Sequence, residues 1–188
     1  EGIAASIELA GILRKQGRDE EALSAYLDVM HSIRRPEDFC NRWLTRKEFQ
    51  RALLDAWSEW IAQTEFENAL AIAESLTPLF DHLRSRELVA ETNQRWAVHL
   101  QREYDEATID RRRGLAHELH QRWSHCGDAY AKLAHVVRFT NRYEDIIWQS
   151  TTCYAKGQRF EKSAEQSSEF IRSTPKFGVP RAHVHRGI

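Results

Sequence analysis

The sequence of 188 residues has little of several residue types that mark specialised protein classes. Glycine occurs 8 times and proline 4 times, which excludes collagen-like and low-complexity chains and favours helices joined by short turns. The three cysteines are an odd number and none has CxxC spacing, so we expect neither a disulfide framework nor a zinc site. We interpret Cys40, Cys126 and Cys153 as small buried thiols.

Long apolar runs and a strong net charge are also lacking. No apolar run approaches the roughly 20 residues of a membrane-spanning helix, so we expect none. The net charge of -1 argues against a nucleic-acid binder. Residues 84–142 nevertheless carry 11 basic and 8 acidic side chains, which makes this stretch the place to expect an acidic partner.

The compartment is predicted from the thiols and from the start of the chain. Free thiols and the lack of a signal-peptide pattern predict a cytoplasmic protein. An exported segment of a longer precursor would have the same composition, and this alternative is left open. The chain has no initiator methionine and begins inside a helical pattern, which indicates a piece of a longer protein or a processed form.

A short phrase recurs five times along the chain. Each copy places an acid two residues before a small or aliphatic residue, and a helical apolar pattern follows. Recurrence of this kind is typical of stacked helical hairpins. The copies are 19–22, 66–69, 104–107, 143–146 and 160–163.

Apolar periodicity predicts an all-α domain over residues 1–175 with an irregular C-terminal tail over 176–188. Gly17 and Gly127 are predicted to end helices, and Asp19 and Asp128 to cap the helices that follow. About nine helices result, arranged as antiparallel hairpins of an α-α superhelix, or solenoid. Their predicted ranges are 3–16, 19–34, 44–63, 66–80, 84–102, 104–124, 128–140, 143–156 and 159–173.

The first hairpin resembles the tetratricopeptide repeat (TPR) family. The residues that carry this resemblance are Leu9, Ala10, Leu13, Gly17, Ala22, Tyr26 and Val29. The stretch from Tyr154 to Pro175 is also similar, while the middle copies keep only the turn and the small residue. The resemblance implies a right-handed superhelix that binds a peptide or protein on its concave face, without catalysis and without a cofactor.

Two basic stripes are the predicted partner-binding residues. One stripe lies on the helix at 84–102 and the other on the helix at 128–140. If these are the first helices of neighbouring hairpins, both stripes line the concave groove and form a trough for an acidic peptide. The six residues are Arg95, His99, Arg102, Lys132, His135 and Arg138.

Two further clusters of charged or histidine side chains are not predicted to be functional sites. His117, His120 and His125 lie close together but lack the order of known zinc motifs, so we predict no metal site. The run 111–113, all arginine, spreads around a helix and is interpreted as a solvated face.

No phosphate loop or nucleophile motif occurs, and we predict a non-enzymatic protein-interaction module, a scaffold or adaptor. The alternatives are a peptide- or ligand-sensing regulatory domain and, further from the pattern, an RNA-binding helical repeat.

Overall fold

The computed structural model describes residues 2–173, and every regular element in this range is helical. The predicted tail at 176–188 lies outside the described residues. One turn of 3-10 helix, Pro36–Asp38, separates the second and third α-helices. The eight α-helices are α1 Gly2–Lys15, α2 Asp19–Ser32, α3 Arg46–Ala62, α4 Phe66–Ser75, α5 His82–Glu106, α6 Ile109–Val136, α7 Tyr143–Lys156 and α8 Phe160–Ser173.

Four of the five recurring phrases mark the start of a helix. The helices α2, α4, α7 and α8 begin at the first residue of their copies. The copy at 104–107 is the exception, because α5 continues to Glu106 and the copy therefore ends a helix. The expectation that all five phrases open a helix is wrong for this one.

Three hairpin turns close in the same way. At the end of α1, the Arg18 N–H donates to the Leu13 carbonyl five residues earlier, and Gly17 has a φ of 73°. This is the Schellman closure, in which one residue with positive φ lets the chain reverse. The same hydrogen bond follows α3 and α7, where Thr64 and Gln158 take the positive φ. Glycine is therefore used in only one of three equivalent turns.

The turn between α5 and α6 is held by a side chain instead. The Arg112 guanidinium donates to the Tyr104 carbonyl over 3.0 Å and to the Asp105 carbonyl over 2.6 Å. These are carbonyls of the last turn of α5, which have no partner within the helix. Arg112 thus has a structural role, whereas its neighbours Arg111 and Arg113 are exposed, as the sequence suggested for all three.

The two helices predicted at 104–124 and 128–140 are one continuous helix, α6. Gly127 does not break it, because glycine costs only about 1 kcal/mol within a helix and tertiary packing offsets this. Gly127 is buried, and a Cβ atom there would lie 2.5 Å from the Tyr154 ring of α7. The glycine is therefore needed for close approach of α7, and the described residues contain eight α-helices where about nine were predicted.

Within the described residues, the chain divides into two compact units, residues 2–92 (unit 1) and 93–173 (unit 2), with the boundary inside α5. In unit 1, α1 packs on α2, α3 on α4, and like helices of these hairpins also touch, α1 with α3 and α2 with α4. Large buried side chains fill this core, among them Tyr26 and Trp60, whose rings meet edge to face at 6.0 Å. The Trp60 indole N–H donates to Asp19 on the first turn of α2 over 2.6 Å.

In unit 2, α7 packs on both α6 and α8. Asp128, in the middle of α6, accepts a hydrogen bond from the Tyr154 hydroxyl of α7 and another from the Lys162 ammonium of α8. The predicted N-cap roles are therefore wrong for both aspartates. Arg18 occupies the N-cap of α2, and the carboxylates of Asp19 and Asp128 instead accept from neighbouring helices.

The prediction of three separate buried thiols is also wrong. Cys126 on α6 and Cys153 on α7 form a disulfide with Cα atoms 5.8 Å apart, whereas Cys40 is exposed and free. The bonded pair is 27 residues apart, a separation that no local motif predicts. Only the packing of α6 on α7 brings the two sulfur atoms together.

The small residues of the phrases are mostly buried where helices meet. Ala22, Ala69 and Ser163 are buried, and each lies in the first turn of its helix. In the fourth copy, Ile147 is buried in place of Ile146.

No helix within residues 2–173 is long and apolar enough to cross a membrane.

Candidate functional site

The two predicted basic stripes do not lie on first helices of neighbouring hairpins. α5 and α6 form one antiparallel pair, because the Tyr130 hydroxyl donates to Gln94 and the Trp123 indole donates to Gln101. This register sets the α5 stripe beside residues near 122–130, before the α6 stripe begins. The premise of a helix break at Gly127 was wrong, while partner binding by the six side chains stays a prediction.

On α5, the stripe residues are partly engaged with their own surroundings. His99 lies 3.7 Å from Glu103 in the next turn of the helix. Arg95 and Arg102 are exposed. Nearby, the Arg122 guanidinium of α6 lies 3.1 Å above the Trp96 ring of α5, so this helix face is also used to hold the two helices together.

On α6, the second stripe leads into a groove along α6 and α8. Lys132 is exposed, while His135 and Arg138 line the groove. The groove consists of two adjoining clefts, an inner one of about 240 Å³ and an outer one of about 530 Å³. The residues common to both clefts are Arg138, Tyr143, Glu169 and Arg172.

Apolar side chains form part of the lining of the inner cleft. Ala131 and Ala134 of α6 and Ile147 of α7 line it. Ala134 and Ile147 belong to a buried cluster with Phe170 of α8, against which Tyr143 also packs. The base of the groove is therefore continuous with the core of unit 2. The packing of that core maintains the shape of the groove.

Glu169 is the centre of the charged network that the two clefts share. Its carboxylate lies 2.7 Å from the Arg172 guanidinium and 4.0 Å from that of Arg138, and it accepts a hydrogen bond of 3.2 Å from the Tyr143 hydroxyl. Burial and then the negative charge of Glu169 raise the pKa of Tyr143, so the phenol keeps its proton and remains a donor.

Phe139 lies at the outer cleft and is 98% exposed. It follows α6 directly, in the loop before α7, and Val136 one turn earlier is 45% exposed. Burial of this ring against a partner would be favourable by on the order of 1.5–3 kcal/mol, the free energy of burying a whole large apolar side chain. Contiguous exposed apolar surface marks protein contact sites, and Phe139 and Val136 are two exposed apolar side chains one turn apart.

Several residues of the groove were not predicted from the sequence. Phe139, Tyr143, Glu169 and Arg172 come from a loop and two helices that the pattern did not connect with the α6 stripe. The signal that could have found Phe139 is its place after the last apolar position of α6, where it interrupts a polar turn. Glu169 and Arg172 lie on one face of α8 by their spacing of three, but spacing alone does not reveal the facing helix.

The histidines near the middle of α6 do not gather with other ligands. Among residues 2–173, no group of three or more His, Cys, Asp or Glu side chains is arranged to hold a metal ion.

An acidic cleft of about 550 Å³ lies in unit 1 beside the turns before α2 and α4, lined by Glu20, Glu65 and Glu67 among others.

Comparison with other proteins provides no further assignment. No family model, curated protein or solved structure matches this chain.

Proposed function

We propose that the chain is a protein-interaction module whose groove along α6 and α8 binds a peptide segment of a partner protein. The proposed activity is binding without catalysis, as expected of a scaffold or adaptor. The observation that carries the proposal is Phe139, 98% exposed at the mouth of a cleft of about 530 Å³. Anchoring aromatic residues of this kind supply much of the binding free energy in protein interfaces.

The TPR-like stack is part of the same proposal. Identical closures after α1, α3 and α7 support a series of equivalent hairpins, α1–α2, α3–α4 and α7–α8. The antiparallel contacts of α5 and α6 add a fourth pair, which comes between α4 and α7 in the sequence. In this arrangement α6 and α8 are both second helices, so the proposed groove lies on a different set of helices from the one that the family resemblance implies.

A peptide fits the groove better than RNA or a small-molecule ligand does. RNA binding depends on several basic side chains that neutralise phosphates. The groove offers Arg138 and Arg172, and Arg172 is already paired with Glu169. The inner cleft, at about 240 Å³, is smaller than the roughly 300–1,000 Å³ of most small-molecule sites. The outer cleft, at about 530 Å³, is within that range, but most of its lining is polar or charged, whereas small-molecule sites are lined mainly by apolar side chains. Mixed charge with an apolar base is common in peptide-binding surfaces.

The proposal is tested with a displayed library of random 12-residue peptides. We expect the wild-type chain to enrich peptides that bind Phe139→Ala at least about tenfold more weakly, because truncation of an anchoring aromatic usually costs more than 1 kcal/mol. Trp43→Ala is the matched control, since Trp43 is an aromatic residue of unit 1 that is 66% exposed. Peptides that bind Phe139→Ala as well as wild type, or no enrichment at all, would contradict the proposal.

A further inference from the structure

The inner cleft has the shape of a site for one side chain. Ala131 and Ala134 leave space above Ile147 that longer side chains at these positions would occupy. The opposite wall comes from α8, where Gln166 lines the cleft. The volume of about 240 Å³ is enough for one bulky apolar side chain. Such a side chain would meet alanine and isoleucine at the base, while the rest of the lining is polar or charged, including His135 and Glu165.

The outer cleft should favour a ligand group with a negative charge. Arg138 and Arg172 have side chains that are 58% and 72% exposed, and they share the carboxylate of Glu169. That carboxylate is already engaged by Arg172 and Tyr143. The Arg138 guanidinium, at 4.0 Å, lies beyond the 2.7–2.9 Å of a charge-assisted hydrogen bond. Arg138 therefore has donors to offer, while the second carboxylate of this cleft, Glu144, is exposed on the first turn of α7.

We infer that the groove recognises a peptide with a bulky apolar side chain flanked by an acidic side chain. The apolar side chain enters the inner cleft, and the acid meets Arg138 at the outer cleft, next to Phe139. This inference rests on the proposed peptide binding and adds the chemistry of the ligand. It requires neither a free peptide terminus nor any covalent step.

The test is a positional-scanning library of nine-residue peptides, acetylated and amidated so that no terminal charge contributes. Each pool fixes one residue type at one position, and binding to the full chain is measured by fluorescence anisotropy. We expect roughly tenfold or greater preference for Leu, Phe or Trp over Ala at one position. At a neighbouring position we expect a severalfold preference for Asp or Glu over Gln, which added salt weakens.

Two variants fill the inner cleft from opposite walls. Ala131→Leu and Gln166→Trp each place a larger side chain at the cleft, and each should abolish the apolar preference and retain the acidic one. Ala116→Leu is the matched control for the first, because Ala116 lies on α6 away from both clefts. Circular dichroism and thermal melts identify any variant that fails to fold, and the second filling variant then carries the test.

A further pair of variants separates charge from shape. Because Arg138 lines both clefts, it is changed to Gln, which removes the charge and keeps much of the side chain. Arg138→Gln should abolish the acidic preference while the apolar preference remains. The matched control is Arg113→Gln, which removes the charge of an exposed arginine on α6, outside the groove; Arg138 itself lies in the loop after α6.

The outcomes distinguish the inference from the proposed function. If no pool binds, peptide binding itself is wrong. If pools bind without these two preferences, or if folded filling variants keep the apolar preference, peptide binding stands and the assigned ligand chemistry is overturned. Loss of each preference in its own variant supports the inference.

Discussion

Units 1 and 2 each use an aspartate to join helices, but they place it differently. Asp19 lies on the first turn of α2 and accepts one hydrogen bond from Trp60 of α3. Asp128 lies in the middle of α6 and accepts from Tyr154 of α7 and Lys162 of α8. The same residue type therefore connects two helices in one unit and three in the other, depending on which neighbours the packing supplies.

The cores of the two units are also held together by different kinds of contact. Unit 1 is filled by large side chains such as Trp60, Phe49 and Leu53, all fully buried. In unit 2, Gly127 and Gly157 let backbones and rings approach closely, and a disulfide joins α6 to α7. We conclude that unit 1 depends mainly on apolar volume, and unit 2 more on close approach and covalent linkage.

The largest effect is expected from Trp60→Ala in unit 1. The change leaves a cavity and removes the donor to Asp19, and we expect a loss of about 3–5 kcal/mol in the free energy of unfolding. Urea denaturation measures this, with Trp43→Ala as the control that should change stability by less than about 0.5 kcal/mol. Hydrogen exchange should rise most at amides in residues 2–92. If both tryptophan variants lowered the free energy of unfolding equally, the conclusion that unit 1 depends on buried apolar volume would be wrong.

The next largest effect is expected in unit 2, on reduction of the Cys126–Cys153 disulfide. Opening a loop with a sequence separation of 27 residues should lower the free energy of unfolding by roughly 3 kcal/mol. Urea denaturation with and without dithiothreitol measures the difference. The Cys40→Ser variant should respond to dithiothreitol as wild type does, because Cys40 is exposed and outside the disulfide. Identical unfolding in both conditions would contradict this prediction.

A smaller effect is expected from Gly157→Ala. A Cβ atom there would lie 2.7 Å from the Ser124 backbone nitrogen of α6, so the helices must separate, at a cost of about 1–3 kcal/mol. Gly114→Ala is the matched control, because nothing lies within 4 Å of its Cβ position inside α6. That control should raise stability by up to about 1 kcal/mol. Thermal melts that move in the same direction for both variants would count against close packing of α6 and α7.

The smallest effect is expected from Asp128→Asn, and it should depend on pH. Burial alone would raise the pKa of Asp128, but hydrogen bonds from Lys162 and Tyr154 outweigh it, and the pKa lies below its ordinary value. The folded state therefore binds this proton less readily than the unfolded state. The resulting stability is present above the ordinary pKa near 3.9 and is lost as the pH falls through the lowered value.

Because Asp128 and Lys162 are both more than a third exposed, the effect should stay below about 1 kcal/mol. Unfolding of wild type and Asp128→Asn is compared from pH 6 to pH 3. The stability difference should shrink toward the acid end. A difference that grows as the pH falls would reverse the assignment of the carboxylate.

Much of the fold could be predicted because its signals are local. The starts of α2, α4, α7 and α8 follow from acids at the first turn and from apolar periodicity. The turn at Gly17 follows from its tolerance of positive φ. Equivalent turns at Thr64 and Gln158 could not be predicted, because these residues adopt positive φ only when the surrounding structure requires it.

The candidate site was predicted only in part. His135 and Arg138 line the groove, but the side chains that complete it come from α7, α8 and the loop that carries Phe139. The prediction that the two stripes line one groove depends on a helix break at Gly127. α6 has no break there, because burial against Tyr154 outweighs the low helix propensity of glycine.

The sequence by itself determined that the chain is helical, where most helices begin, and that small residues lie at their contacts. Those features depend on residues within a few positions of each other. Tertiary structure decided the roles of Asp19 and Asp128, the cysteine pairing, and the membership of the groove. The partners in those contacts are 26 to 41 residues apart, and their meeting depends on how whole helices pack, which no local pattern specifies.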